Sequence, residues 1–228
     1  ESVEQIARDF VGRHVVVRTR PTLGNWSRIA RFCERGIAAI ESTQREKGPY
    51  RSVFSRAMWP ASHALAALYK GRYPGVPWQA EFSDPLLMSS RGEVRYRPIR
   101  DDALLAELRE ALERSGQPVP TSDNVFVWLE HLAYALADRI VFTNARQRDY
   151  MLHYTASPEL RSRVHERSVI EPQPMPPGHA YELVQSSYPL EPGLMNIGYF
   201  GRFYAVRGAS DILEGLAGLT AEDRRRLC

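Results

Sequence analysis

The chain has 228 residues, 43% of them hydrophobic and 25% charged, with a formal net charge of +3 and an isoelectric point near 9.0. That is a globular composition with apolar residues enough for one large domain or two small ones, and its arginines are nearly balanced by acids, which argues against a dedicated nucleic-acid binder. Cys33 and Cys228 are the only cysteines, so there is no disulfide framework and no zinc-type spacing; no apolar run approaches the roughly 18 residues of a spanning helix.

The first predicted element is a short strand over His14 to Val17, followed by a loop at Arg18-Thr-Arg-Pro21. A helix then runs from Trp26 to about Glu46. Ile29, Phe32, Cys33, Gly36, Ile37 and Ile40 share one face, and Arg28, Arg31 and Arg35 share the other. Such a basic face suits an anionic membrane surface, although a solvated face is the commoner explanation. Lys47-Gly-Pro-Tyr50 breaks the helix, Ser52 to Ser55 reads as a buried strand, and a helix follows through Ala64, Leu65, Leu68 and Tyr69.

After the turn-rich Gly71 to Pro77, a second strand spans Trp78 to Pro85 and ends at Ser83-Asp84-Pro85. Leu86 to Arg100 is polar and basic, an irregular loop able to border a cleft. Asp101 and Asp102 can cap the next helix, whose stripe is Leu104, Leu105, Leu108 and Leu112 and which Gly116 ends. Val125 to Leu136 forms another helix, Asp138 to Asn144 a strand, Ala145 to Tyr154 a helix, and Ser168 to Glu171 a last short strand.

Prolines 172, 174, 176 and 177 and Gly178 then exclude regular structure, and the domain boundary is placed between Pro172 and Gly193. Beyond it, Asn196-Ile-Gly-Tyr-Phe-Gly-Arg-Phe-Tyr-Ala-Val-Arg-Gly208 reads as a strand and a glycine turn carrying two arginines, with a helix from about Ala209. Glycine lets the backbone approach a phosphate, a helix start offers free N–H groups, and guanidinium groups pair with phosphate oxygens. A plain turn with solvated arginines fits the same letters. Strand alternating with helix implies parallel strands joined by right-handed crossovers, with helices on both faces.

Three motifs resemble a GT-B fold glycosyltransferase of the group 1, or glycosyltransferase family 4-like, class. Ala137-Asp-Arg-Ile-Val-Phe-Thr-Asn-Ala145 is similar to the "aD.vi..S" strand of the acceptor domain. Ser168-Val-Ile-Glu-Pro172 is similar to the strand leading out of it, and Ile197 to Gly208 to the "vGRl...KG" opening of the donor domain. Arg207 replaces the usual lysine, and Glu171-Pro-Gln-Pro174 stands where "PNG" is usual.

The resemblance implies a Rossmann-like acceptor domain over residues 1–185, incomplete at its start, and the beginning of a nucleotide-sugar donor domain over residues 194–228. Neither the glycine-rich opening turn nor the late E-x7-E-like motif of such enzymes is visible. The 228 residues are therefore expected to be part of a longer protein and inactive alone.

The implied function is hexosyl transfer from a UDP- or GDP-linked sugar to a hydroxyl of a saccharide, glycolipid or small glycoside. It would be retaining and metal-independent, with no cofactor beyond the nucleotide-sugar substrate. The implied location is the cytoplasm, with peripheral contact at the inner face of the membrane and no nucleic-acid partner. Gly201, Arg202, Arg207 and Gly208 would hold the donor diphosphate, stabilising the charge that grows on the leaving group. Asp84, at the end of its strand, is the candidate catalytic carboxylate, although a cap before Pro85 explains it nearly as well. Glu81 is a weaker alternate on the opposite face. His63 and Asn144 are acceptor-side candidates, each also readable as a packed or capping side chain. Competing readings are a non-catalytic binding or scaffold protein with the same fold and, against the missing G-x-G-x-x-G, a nicotinamide-dependent oxidoreductase.

Overall fold

The computed structural model describes residues 10–155, 157–175, 177–179, 189, 193–194, 196 and 210–225. The chain divides into two compact units, Glu1–Gln173 and Pro174–Cys228.

The first unit contains α1 (Trp26–Lys47), β1 (Val53–Arg56), α2 (Ala61–Arg72), β2 (Trp78–Phe82), α3 (Ala103–Arg114) and α4 (Val125–Leu136), then β3 (Arg139–Phe142), α5 (Ala145–His153), α6 (Pro158–Arg167) and β4 (Ser168–Ile170). It is an α/β unit around an open, all-parallel sheet in the order β1-β2-β3-β4. In the second unit the described helices are α7 (Ser210–Ala217) and α8 (Ala221–Arg224), the latter capped by Thr220, whose hydroxyl accepts from the Asp223 N–H at 3.2 Å.

Local chemistry explains the helix starts. Asn25, Asp102, Asn124, Asn144 and Ser157 each accept a backbone N–H from the first turn they precede, satisfying a donor that has no intrahelical partner. Asp102 also accepts from Trp26 Nε1 at 2.7 Å, so one carboxylate caps α3 and ties it to the start of α1. At the base of the sheet, Asp138 Oδ2 accepts from both Lys70 Nζ and the Trp78 N–H at 2.8 Å, joining α2 to the beginnings of β2 and β3.

The core follows from the period-two pattern of the strands. In-register Ser55, Ala80 and Ile140, with Phe82 and Phe142 beyond them, share the buried face. The opposite face carries Phe54, 58% exposed, and an Arg56–Glu81 ion pair at 2.8 Å. Against the buried face lies α4, apolar all round and buried except at Val127 and His131. Helices α1, α2, α3, α4 and α6 pack in contiguous succession.

The structure corrects two expectations and adds one element. Helices do not cover both faces: every connection steps one strand in the same direction, so right-handed crossovers place them all on one side. Doubly wound sheets need a reversal of strand order, and the described strands have none. His14 to Val17 is not a strand. Arg13 pairs with Glu46 and Arg35 Nη1 donates to the Arg18 carbonyl, both at 2.7 Å, so this segment runs along α1 with Val15 and Val16 about half exposed and paired to no strand. Helix α6 was not anticipated, although Ser157 as cap and Pro158 at the first helical position are a standard start signal.

Candidate functional site

Because all four strands run the same way, their carboxyl ends form one rim, made of Ala57–Trp59, Ser83–Asp84, Thr143–Asn144 and Glu171–Gln173. In parallel sheets this is the rim where ligands bind, most often where the strand order reverses. Asp84 stands near its middle, after β2 and beside the end of β3. The carboxylate is exposed and makes no hydrogen bond or ion pair with a described residue. Its neighbour Ser83 has a buried hydroxyl that likewise finds no partner among the described residues.

The rim is held rigidly beside Asp84. Gln147, on the first turn of α5, donates through Nε2 to the Phe82 carbonyl at 2.9 Å and accepts the Thr143 N–H on Oε1 at 3.1 Å. One side chain thereby fixes the last carbonyl of β2 against the end of β3. Asn144 is the cap of this helix, accepting the Gln147 N–H at 2.8 Å, so its position at the strand end serves α5 directly. At the other side, Arg56 reaches Gln173 Oε1 at 3.2 Å while paired with Glu81, which brings the chain leaving β4 back toward β1.

His63 does not reach this rim. It is fully buried at 0% exposure, its Nδ1 2.7 Å from Ser55 Oγ, which also accepts from Trp78 Nε1 at 2.8 Å; its ring lies against Phe82. Burial lowers its pKa to about 3, so it is a neutral core group that presents no surface to an acceptor. Glu81 is committed to Arg56 on the helix-free face. Gly201, Arg202, Arg207 and Gly208 lie outside the described residues. Arg95 and Arg97 of the loop after β2 donate to backbone carbonyls, Arg95 Nη1 to Pro85 and Leu86 at 2.8 Å each and Arg97 Nη1 to Tyr96 at 3.0 Å.

One functional-looking residue was missed. Glu130 is 3% exposed within α4, and its Oε1 accepts the Leu86 and Leu87 N–H groups at 2.9 Å each and the Tyr154 hydroxyl at 3.3 Å. Burial pushes its pKa up to about 7, opposed by those hydrogen bonds and by the charge of Arg95. It anchors the loop that leaves Asp84. The signal was present: a lone acid in the apolar run Val125-Phe-Val-Trp-Leu-Glu-His-Leu-Ala-Tyr-Ala-Leu136 must face a donor or a cavity.

Among the described residues no group of three or more His, Cys, Asp or Glu side chains is arranged to hold a metal ion, and no helix is long and apolar enough to cross a membrane. The rim offers the exposed Asp84 carboxylate, without a partner among the described residues, beside backbone tied together by Gln147: an arrangement able to orient a hydroxyl-bearing substrate and accept its proton. No protein-family model, curated protein or solved structure matches the chain.

Proposed function

We propose that the chain is the acceptor-side part of a GT-B type glycosyltransferase that moves a hexosyl group from a nucleotide diphosphate to a hydroxyl of a saccharide, glycolipid or small glycoside. The observation that carries this reading is Asp84: an exposed carboxylate with no partner among the described residues, at the carboxyl end of an inner strand of a parallel sheet. A side chain used only as a turn or helix cap would accept a local N–H, as the Asp102 carboxylate and the Asn144 amide oxygen do.

In this reading the acceptor hydroxyl lies against Asp84, which orients it and takes up its proton. The bond from the anomeric carbon to the diphosphate breaks as the new glycosidic bond forms. The negative charge left on the diphosphate falls to Arg202 and Arg207, and Gly201 and Gly208 carry no side chain to hold a phosphate away from the backbone. That assignment rests on the sequence of the Ile197 to Gly208 stretch. Retention of configuration, independence of metal, and work at the cytoplasmic face of a membrane belong to the same proposal.

The test is calorimetric titration of the full-length protein with UDP, GDP and their sugar conjugates, repeated on Arg202→Ala, with transfer assayed on Asp84→Asn. One nucleotide should bind and lose at least tenfold in affinity with Arg202→Ala. Asp84→Asn should keep donor binding and lose transfer. Equal nucleotide binding in wild type and Arg202→Ala would sink the diphosphate assignment, and unchanged turnover in Asp84→Asn would remove it from the chemistry.

A further inference from the structure

A separate, half-open cavity is bounded by α4, the start of α6 and the segment 118–122 that precedes α4, with a volume of about 380 Å³. That is within the range of small-molecule pockets. Its walls are apolar and aromatic, with Leu87, Val127, Leu160, Tyr134 and Tyr154 among them. Two polar atoms there lack a partner. The Tyr134 hydroxyl, on a residue 1% exposed, has none among the described residues; all three hydrogen bonds of Glu130 fall on Oε1, leaving Oε2 without one.

No lysine or arginine lines the cavity. Thr121, Ser122, Thr155 and Ser157 bring hydroxyls to it, of which Thr155 donates to the Met151 carbonyl at 3.2 Å and Ser157 to Glu159 Oε2 at 2.7 Å, and His131 donates through Nε2 to the Pro118 carbonyl at 2.6 Å. Burial lowers the pKa of His131, favouring its neutral form. Pro118 and Pro120 contribute carbonyls but no N–H. An unused carboxylate oxygen, an unused hydroxyl oxygen and two tyrosine rings in an apolar chamber fit a cation that brings its own hydrogen-bond donors. We propose that this cavity binds a small organic ammonium ion with an apolar body, its N–H groups donating to Glu130 Oε2 and Tyr134 Oη and its charge set against the rings of Tyr134 and Tyr154. The inference stands independently of sugar transfer.

The groups facing Glu130 are Tyr134 and His131 on α4, Tyr154 after α5 and Arg95 on the loop after β2. Burial raises both tyrosines further and lowers His131, while Glu130, pushed up to about 7, changes state between pH 6 and 8.

The experiment uses the 228-residue chain with 2-phenylethylamine, 2-phenylethanol and phenylacetate as probes, following the Leu86 and Leu87 amide resonances. The amine should bind saturably, about tenfold tighter at pH 8 than at pH 6 as a carboxyl titrating near 7 ionises, and at least tenfold tighter than the alcohol at pH 8. Phenylacetate should not bind. Glu130→Gln should cost the amine at least tenfold and remove the pH dependence. Absence of saturable amine binding, equal affinity for amine and alcohol, or an affinity flat from pH 6 to 8 would overturn the proposal; the last two are read on unmodified protein, so they hold even if the variant fails to fold.

Discussion

Glu130→Gln gives the sharpest test of the electrostatics inside the first unit. The wild-type carboxyl moves from an ordinary 4.5 to about 7 on folding because burial penalises its charged form. A carboxyl raised on folding adds nothing while it is protonated in both states. As pH rises through 4.5 the unfolded chain ionises and the folded one does not, so stability falls; above 7 both are ionised and the loss is complete. A displacement of that size corresponds to about 3 kcal/mol at 1.36 kcal/mol per unit. Glutamine keeps an acceptor for the Leu86 and Leu87 N–H groups and makes neutral bonds to them, as the protonated carboxyl does; the stronger bonds of the ionised form are already contained in the displaced pKa. Urea unfolding followed by tryptophan fluorescence should therefore show the variant equal to or slightly below wild type at pH 4, and about 3 kcal/mol more stable at pH 8. If the difference between the two proteins is the same at both pH values, Glu130 is not a buried acid of raised pKa and the reasoning fails.

Asp84→Asn should leave the urea midpoint within error of wild type, because the exposed carboxylate makes no hydrogen bond or ion pair with a described residue; a loss above about 1 kcal/mol would show a hidden structural role. Gly71→Ala should destabilise by about 1–2 kcal/mol despite alanine's better helix propensity, since the added carbon would sit 2.6 Å from Ala111 Cβ across the α2–α3 contact. Adding Ala111→Gly should recover part of that loss, and a double-mutant cycle showing no coupling would refute the contact. Asp138→Ala should cost about 2 kcal/mol in chemical unfolding, as it removes the acceptor shared by Lys70 and the Trp78 N–H; a neutral result would mean that water replaces it at no cost.

Much of the first unit was legible because its elements have strong periods and well-marked ends. The stripe from Ile29 to Ile40, the Leu104 to Leu112 stripe after Asp102, and the alternation of Trp78, Ala80 and Phe82 each state which face is buried. Topology was not written in those periods. Nothing in the alternation of strand and helix says whether the next strand is added on the same side or the other, and the expectation of helices on both faces failed on that point. His14 to Val17 shows that a β-branched run becomes a strand only where another backbone offers its hydrogen bonds.

At the rim, the end of β2 could be read from Ser83-Asp84-Pro85, which located Asp84. His63 could not be placed, because one histidine at a helix start looks the same whether it faces solvent or Phe82. Glu130 stands inside an apolar helix rather than at a strand end, so its only mark in the sequence is its isolation among apolar residues.

The sequential strand order also bears on how the unit is assembled. Each strand pairs only with the strands next to it in sequence, so no strand waits for a distant one to complete its ladder. In this respect the sheet grows as a repeat protein does, by nearest-neighbour addition, and its cooperativity can weaken from the ends inward. β2 and β3 have partners on both sides, whereas β1 and β4 have one each, and β4 is the shortest strand. Amide exchange should follow that gradient, slowest along β2 and β3 and fastest along β4. The strand that fades first is the one from which the chain departs toward its second unit, so loosening at that end would take the Glu171–Gln173 part of the rim with it and leave Asp84 and the end of β3 in place.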